Sequence, residues 1–90
     1  MKTSHERRQE ARSPATGEVR LRHSGEIAGA FTGRLVDVSA SGFRIRHSRL
    51  TLASGDRVAF EWLGHSGEAL VMWHRILGQE AETGFNVMKS

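Results

Sequence analysis

Several short segments of the chain alternate apolar and charged residues with a period of two, which is typical of strands with one buried face. Residues 42–46 show this most cleanly, with Phe43 and Ile45 on one side and Arg44 and Arg46 on the other. Six short segments have β character, some through this alternation and others through a run of apolar residues, and no long stretch follows a helical period. The predicted strands are residues 19–22, 31–38, 42–46, 57–63, 69–76 and 84–88.

Turn-forming residues lie between these segments, mostly as Ser-Gly pairs such as Ser41-Gly42 and Ser66-Gly67. Strands joined by short turns pair as hairpins, and six of them at near-regular spacing predict a small barrel or sandwich. We therefore expect an all-β fold, a small six-stranded antiparallel β-barrel. Residues 1–13 have almost no apolar content, so we expect a flexible, Arg-rich N-terminal arm ahead of a barrel domain at 14–90.

The apolar residues also predict what fills the barrel. A small barrel must bury its large side chains, so the aromatic residues of the strands are expected in the core. Residues 69–76 are apolar nearly throughout, as in a strand that is covered on both faces. The predicted core aromatics are Phe43, Phe60, Trp62, Trp73 and Phe85.

Composition removes several classes of function. The chain of 90 residues is one domain with no cysteine, which excludes disulfides, thiol nucleophiles and Cys-based zinc sites. The five histidines lack metal-ligand spacing, and no nucleophile-elbow pattern is present, so we expect no metal, no cofactor and no enzyme activity. No apolar run is long enough to span a membrane, and the N-terminus lacks a signal-peptide core, so we expect a cytoplasmic protein.

The net charge of +3 is unevenly distributed. Residues 1–49 contain ten Lys and Arg against five Asp and Glu, whereas residues 50–90 contain three against five. Eleven of the thirteen cations are arginine, whose planar guanidinium pairs with phosphate or with a guanine edge through two hydrogen bonds. The basic half therefore indicates an anionic partner, although scattered arginines also simply keep a small domain soluble.

Two short patterns carry the candidate chemistry. The first is an Arg-x-x-x-Arg pair in the arm, Arg8 and Arg12, and the second is the Asp-x-Ser-x-x-Gly sequence of residues 37–42. A guanine base offers N–H donors on its Watson–Crick edge and two acceptors, O6 and N7, on its Hoogsteen edge. Asp37 can accept from those donors, while an arginine can donate to the acceptors or to phosphate oxygens.

The other two residues of the second pattern fit the same use. Ser39 can donate or accept a hydrogen bond, and Gly42 lets the backbone approach a ligand and adopt positive φ. The pattern also fits an ordinary hairpin in which Asp37 and Ser39 cap the turn through their side chains. Taken alone, these residues leave both a guanine site and a structural turn open.

An Arg-x-x-x-Arg arm followed by an Asp-x-Ser-x-x-Gly turn, in a chain of six short strands, resembles the PilZ family. Further matches lie at a strand start, at a strand that ends in tryptophan and near the C-terminus, so the resemblance covers residues 6–87. These matches are Gly55-Asp56-Arg57-Val58, Leu70-Val71-Met72-Trp73 and Gly84-Phe85.

The resemblance implies a receptor that binds the bacterial second messenger cyclic di-GMP and does no chemistry on it. It implies that the arm arginines hold phosphates and guanines while the turn reads a guanine from the barrel rim. An arginine directly before the first motif arginine accompanies an intercalated ligand dimer in this family, so Arg7 favours two ligands per domain. The implied ligand-binding residues are Arg7, Arg8, Arg12, Asp37, Ser39 and Gly42.

The expected mechanism is that the arm is mobile without ligand and folds across cyclic di-GMP, and that the bound surface signals to an effector protein still to be identified. One alternative is a nucleic-acid-binding barrel of the cold-shock or OB type. Such barrels display aromatic stacking platforms, whereas the outward residues Arg44 and Arg46 are not aromatic, which argues against nucleic acid. The other alternative is a PilZ-like adaptor that binds only protein, but such members typically lack the motif residues.

Overall fold

The computed structural model describes residues 11–24 and 29–88, and all regular secondary structure within them is β-strand. The six predicted strands are all present, and a two-residue strand precedes them at the predicted boundary between arm and barrel. The strands are β1 Ser13–Pro14, β2 Glu18–His23, β3 Phe31–Val38, β4 Gly42–His47, β5 Arg57–Trp62, β6 His65–Leu77 and β7 Glu80–Met88.

Six of the strands close into a barrel in which every pairing is antiparallel. Going round the barrel the order is β3, β2, β5, β6, β7 and β4, and β4 pairs again with β3. The short β1 pairs with the end of β3, beyond the last residue that β2 covers. This closure confirms the predicted six-stranded antiparallel barrel, in which most backbone donors and acceptors find a neighbouring strand.

The core lies inside the barrel and consists of the inward positions of all six strands. Phe43 is at its centre, with ring centroids 4.9 Å from Phe85 and 5.2 Å from Phe60. Trp62 packs against the edge of this cluster. The buried core residues are Val19, Leu21, Leu35, Phe43, Ile45, Leu52, Val58, Ala69, Val71, Ala81 and Phe85.

The predictions for β6 were wrong in two respects. The strand is not covered on both faces, because its second half extends past the barrel with Met72, Ile76 and Leu77 exposed. Trp73 is not a core residue but is 38% exposed on the outer surface. An apolar run has the same composition whether a strand is buried twice or projects beyond its neighbours, so periodicity alone does not separate the two cases.

The antiparallel strands give the barrel two ends with different connections. At one end, which we call the motif end, lie the β3–β4 turn (residues 39–41) and the β5–β6 turn at Leu63 and Gly64. At the other, which we call the loop end, the connection of residues 48–56 covers the barrel and buries Leu52. Asp56 fixes this connection, since its carboxylate accepts from the Ala53 N–H at 3.0 Å.

Two histidines and a threonine form a hydrogen-bonded chain at the loop end. The Arg49 N–H donates to His47 Nδ1 at 3.0 Å, so His47 Nε2 carries hydrogen and donates to the Thr83 hydroxyl at 2.7 Å. Thr83 then donates to His74 Nδ1 at 2.8 Å, and His74 Nε2 donates to the Leu50 carbonyl at 3.3 Å. Every polar atom of this chain therefore has a partner while both rings are neutral.

Burial, with smaller contributions from His74 and Arg49 and against the opposing effect of Glu80, lowers the pKa of His47 from 6.5 to about 4. The unfolded chain therefore binds more protons than the folded chain between these two pKa values. Stability from this group is complete above pH 6.5 and is lost as the pH falls towards 4. We expect the free energy of unfolding to fall by about 2 kcal/mol between about pH 7 and about pH 5.

Urea unfolding at a series of pH values measures this dependence. The variant His47→Asn should flatten the slope in that interval, whereas His65→Asn, at an exposed hairpin position, should keep it. The lowered pKa values of Asp37 and Glu82 act in a separate window, because stability from depressed carboxyl pKa values is lost only below about pH 5. An unchanged slope in His47→Asn would contradict the assignment to His47.

Candidate functional site

A β-bulge at the end of β3 turns Asp37 towards the outside of the barrel. Leu35 pairs with Ile45 and Asp37 pairs with Arg44, which leaves Val36 as the extra residue between them. Directly opposite residues of an antiparallel pair share a face, so Asp37 lies with the outward Arg44 although Leu35 points into the core. The bulge therefore brings the aspartate of the turn motif onto the surface between β1 and β4.

Two arginines hold the Asp37 carboxylate. Arg12 approaches Oδ1 with Nη2 at 2.9 Å and Nε at 3.0 Å, and Arg44 Nη2 donates to Oδ2. These side chains leave Asp37 only 7% exposed. Burial acts to raise the pKa of Asp37, but the hydrogen bonds from Arg12 and Arg44 outweigh it and hold the pKa below its ordinary value. Asp37 is therefore ionised at neutral pH.

The pairing of β1 places Arg12 beside Asp37. Ser13 lies opposite Val38 and Pro14 opposite Asp37, so the residue just before β1 reaches the end of β3. Proline suits this position because β1 is an edge strand and needs no donor towards solvent. The structure thus brings together Arg12 of the first motif and Asp37 of the second, while Arg7 and Arg8 lie outside the described residues.

A second buried carboxylate, Glu82 of β7, continues this network and was not predicted from the sequence. It is 4% exposed and contacts Arg46 Nη2 at 3.0 Å, Arg75 Nη2 at 2.6 Å and Arg44 Nη1 at 4.0 Å. Burial acts to raise the pKa of Glu82, yet hydrogen bonds from Arg46 and Arg75 lower it overall. Glu82 lies under these arginines because of the register between β4 and β7, and this register cannot be determined from the sequence alone.

These contacts define an outer surface that we call the arginine face: Arg12, Asp37, Arg44, Arg46, Arg75 and Glu82. Four guanidinium groups share two carboxylates, so the arginine face has an excess of two positive charges. The carboxylates fix the positions of the guanidinium groups; the Nε atoms of Arg44 and Arg46 are buried, while N–H donors at the exposed ends of these side chains can face an anion. Chemically, this surface is suited to phosphate and to the acceptor edge of a purine.

Trp73 lies at the far side of the arginine face. Register pairs run from Asp37 to Arg44, from Arg44 to Gly84 and from Gly84 to Trp73, which places these residues in one row across four strands. A Cβ on Gly84 would overlap the indole of Trp73, so the absent side chain makes room for the ring. Arg75 also lies over this ring, 5.7 Å from the centroid.

The turn itself is a hairpin connection in which the Ser39 N–H donates to the Gly42 carbonyl at 2.9 Å. The Ser39 hydroxyl is buried and has no hydrogen-bond partner among the described residues. It lines an apolar cavity of about 330 Å³ at the motif end, beside Val38, Phe43 and Trp62. Ser39 thus lies two residues after Asp37 in the chain, and its hydroxyl has no hydrogen-bond partner among the described residues.

The structure contradicts one of the two properties predicted for Gly42, its positive φ. It is not among the glycines with positive φ, so the prediction of that backbone conformation was wrong. A Cβ on Gly42 would overlap the carbonyl oxygen of Phe85 on the neighbouring β7. Glycine is needed here because β4 and β7 approach closely at the start of their pairing, and contact with a ligand stays a prediction.

Two further findings concern the described part of the chain. Residues 11–24 and 29–88 contain no group of three or more histidine, cysteine, aspartate or glutamate side chains that could hold a metal ion. In the same residues there is no helix with the length and apolar character that crossing a membrane requires.

The structure is a small closed six-stranded barrel with a basic outer face beside a flanking strand. Comparison with protein families shows which one: the PilZ domain model matches residues 6–87, nearly the whole chain, and the chain belongs to the PilZ family. PilZ domains are receptors for cyclic di-GMP and act as binding or adaptor domains rather than enzymes. The search of curated proteins gave no significant match.

Proposed function

We propose that this chain is a cyclic di-GMP receptor that binds its ligand on the arginine face and at the adjoining β3–β4 turn. The observation that carries the proposal is the pair of guanidinium groups on the ionised Asp37, one from each side of the site. Together they supply the acceptor that a guanine Watson–Crick edge needs and the donors that phosphates need.

Binding proceeds by an exchange of partners. Arg12 has a side chain that is 40% exposed, so it can leave Asp37 for a ligand phosphate without opening the core. The Asp37 oxygen that it releases then accepts from the guanine N–H donors, while Arg44 stays in place. Each charged group keeps a partner throughout, which avoids the large cost of leaving a buried charge unpaired.

The neighbouring residues complete the contacts. The free hydroxyl of Ser39 provides a further donor or acceptor for the guanine, and Gly42 holds the turn against β7. Trp73, in the same row as Asp37, offers an exposed ring on which a purine can stack. Arg7 and Arg8 supply phosphate and guanine contacts, and Arg7 favours two intercalated ligands per domain.

The arm transmits the signal in this proposal. β1 places Arg12 beside the site, and the proposal is that residues 1–13 fold across the bound ligand and change the surface there. An effector protein would then recognise the new surface. Under this proposal the ligand is bound and released unchanged.

Isothermal titration calorimetry with cyclic di-GMP tests the receptor, with GTP, cyclic AMP and a single-stranded oligonucleotide as competitors. We expect selective binding with a dissociation constant of about 1 μM or tighter, which corresponds to about −8 kcal/mol. Arg8→Ala and Arg12→Ala should each remove most of the affinity, whereas Arg22→Ala, an exposed arginine on β2, should not. Two ligands per chain would support the role of Arg7.

The same titration can reject the proposal. If Arg8→Ala and Arg12→Ala bind like the parent chain, the arm does not hold the ligand. If cyclic di-GMP gives no heat in the calorimetric titration and no chemical shift changes in an NMR titration, the receptor function is wrong for this chain. Tight, salt-sensitive binding of the oligonucleotide would instead identify a nucleic-acid-binding barrel.

A further inference from the structure

The outer half of β6 has a strand partner on one side only. β6 pairs with β5 from His65 to Leu70 and with β7 as far as Leu77. The carbonyls of Val71 and Met72 are taken by Gly55 N–H and by the Ser54 hydroxyl, where the coverage from the β5 side ends. Residues 73–77 therefore lack a second strand partner among the residues that the structure describes.

The side chains on this segment do not protect it. Residues 72–77 contain no proline, and their one charged residue, Arg75, is held by Glu82 at 2.6 Å. Ile76 is 51% exposed, and Met72 and Leu77 are exposed as well. Proteins normally blunt a free edge with charges, prolines or a covering element, because exposed backbone donors and acceptors recruit another strand.

We propose that residues 73–77, which we call the β6 edge, pair antiparallel with the same edge of a second copy of this chain. A two-fold axis between the copies then extends the β6–β7 hairpins into one continuous sheet. Apart from Arg75, which is ion-paired with Glu82 at 2.6 Å, the edge carries no Asp, Glu, Lys or Arg side chain, so few like charges oppose each other when two copies meet. This inference concerns self-association; because Trp73 and Arg75 also belong to the surface proposed for the nucleotide, it is tested on the chain without nucleotide.

Charge and side-chain pairing favour one register. An axis at Arg75 would place the two arginines directly opposite each other, which destabilises an antiparallel pair. An axis at His74 places Trp73 opposite Arg75 of the second copy and Met72 opposite Ile76. Trp73 and Arg75 already interact within one chain, at 5.7 Å from cation to ring centroid, so the same contact can form across the interface.

Sedimentation of the full chain over a range of concentrations tests the dimer. We expect the mass to rise from the 10.0 kDa of one chain towards twice that value. Ile76→Lys should raise the dissociation constant of the dimer about tenfold or more, since it places a charge on the edge. Leu63→Lys is the matched control, because Leu63 is 77% exposed at the motif end and should dimerise like the parent.

Two outcomes overturn the dimer: a mass of one chain at every concentration, or an Ile76→Lys variant that associates as strongly as the parent. The register can be tested separately with single introduced cysteines, because the parent chain contains no cysteine that could form a competing disulfide. His74→Cys should form a covalent dimer under mild oxidation. Ile76→Cys should not, since its two copies lie about 13 Å apart in this register. The opposite pattern rejects the axis at His74.

Discussion

Asp37→Ala is expected to weaken cyclic di-GMP binding about 100-fold or more, which corresponds to about 3 kcal/mol. The substitution removes the ionised acceptor for the guanine N–H donors, and it also releases Arg12 and Arg44 from the positions in which the carboxylate holds them. Both losses act on the same ligand, so the effect should exceed that of removing a single exposed ion pair. Calorimetric titration of the purified variant measures it.

Two further variants separate the roles of Asp37. Asp37→Asn keeps a carbonyl acceptor but not the charge, so we expect an intermediate loss of about tenfold. Asp56→Ala is the matched control: it removes a carboxylate paired with His23 at 3.0 Å, but at the loop end of the barrel, and should leave binding unchanged. Parent-like affinity in Asp37→Ala, with the fold intact by circular dichroism, would show that the ligand does not use this carboxylate.

The strands were predictable because alternation reports burial directly, but the turn predicted at Ser66-Gly67 was wrong, since the chain turns at Leu63 and Gly64 and both predicted turn residues lie inside β6. Residues 42–46 follow the period of two and residues 31–38 are rich in apolar residues, and the structure has strands at Gly42–His47 and Phe31–Val38. Closure of the barrel followed from the number of strands and their short connections. The family was predictable as well, because the spaced arginines and the turn motif occur together along the chain, and a family match does not need their geometry.

The orientation of the site was not predictable in the same way, because it depends on bulges. Strict alternation from Leu35 would point Asp37 into the core, and only the extra residue at Val36 turns it outward. A second bulge, between Val71 and Trp73, interrupts β6 just before its exposed half. One hint was present in the sequence, since a glycine inside a strand, such as Gly84, often marks a close approach by another group.

The burial of Glu82 could not be predicted from the sequence, because it depends on strand register. Its neighbours on β7, Ala81 and Thr83, gave no indication that a glutamate would lie at 4% exposure under three arginines. Pairing across β4, β7 and β6 brings those arginines within reach, and this register depends on tertiary structure. The two carboxylates are therefore one network in which Arg44 contacts both, so changes at Asp37 and Glu82 should not be additive.

Gly42→Ala is expected to lower the free energy of unfolding by about 3 kcal/mol or more. A Cβ at this position would overlap the carbonyl oxygen of Phe85, which is backbone and cannot rotate away as a side chain would. The strands must separate to admit the methyl group, which strains the start of the β4–β7 pairing and the adjacent hydrogen bond from Val87 N–H to the Ser41 carbonyl. The cost is therefore structural and should appear without any ligand.

Gly67→Ala provides the matched control, because Gly67 is also in a strand without positive φ, and its added Cβ would meet only the Phe60 ring at 3.3 Å. We expect that variant to change stability by less than about 1 kcal/mol, in either direction. Urea unfolding of both variants without nucleotide measures the difference. If Gly42→Ala is as stable as the parent but no longer binds cyclic di-GMP, Gly42 serves the ligand directly. A loss of stability without ligand shows instead that this glycine holds the turn against β7.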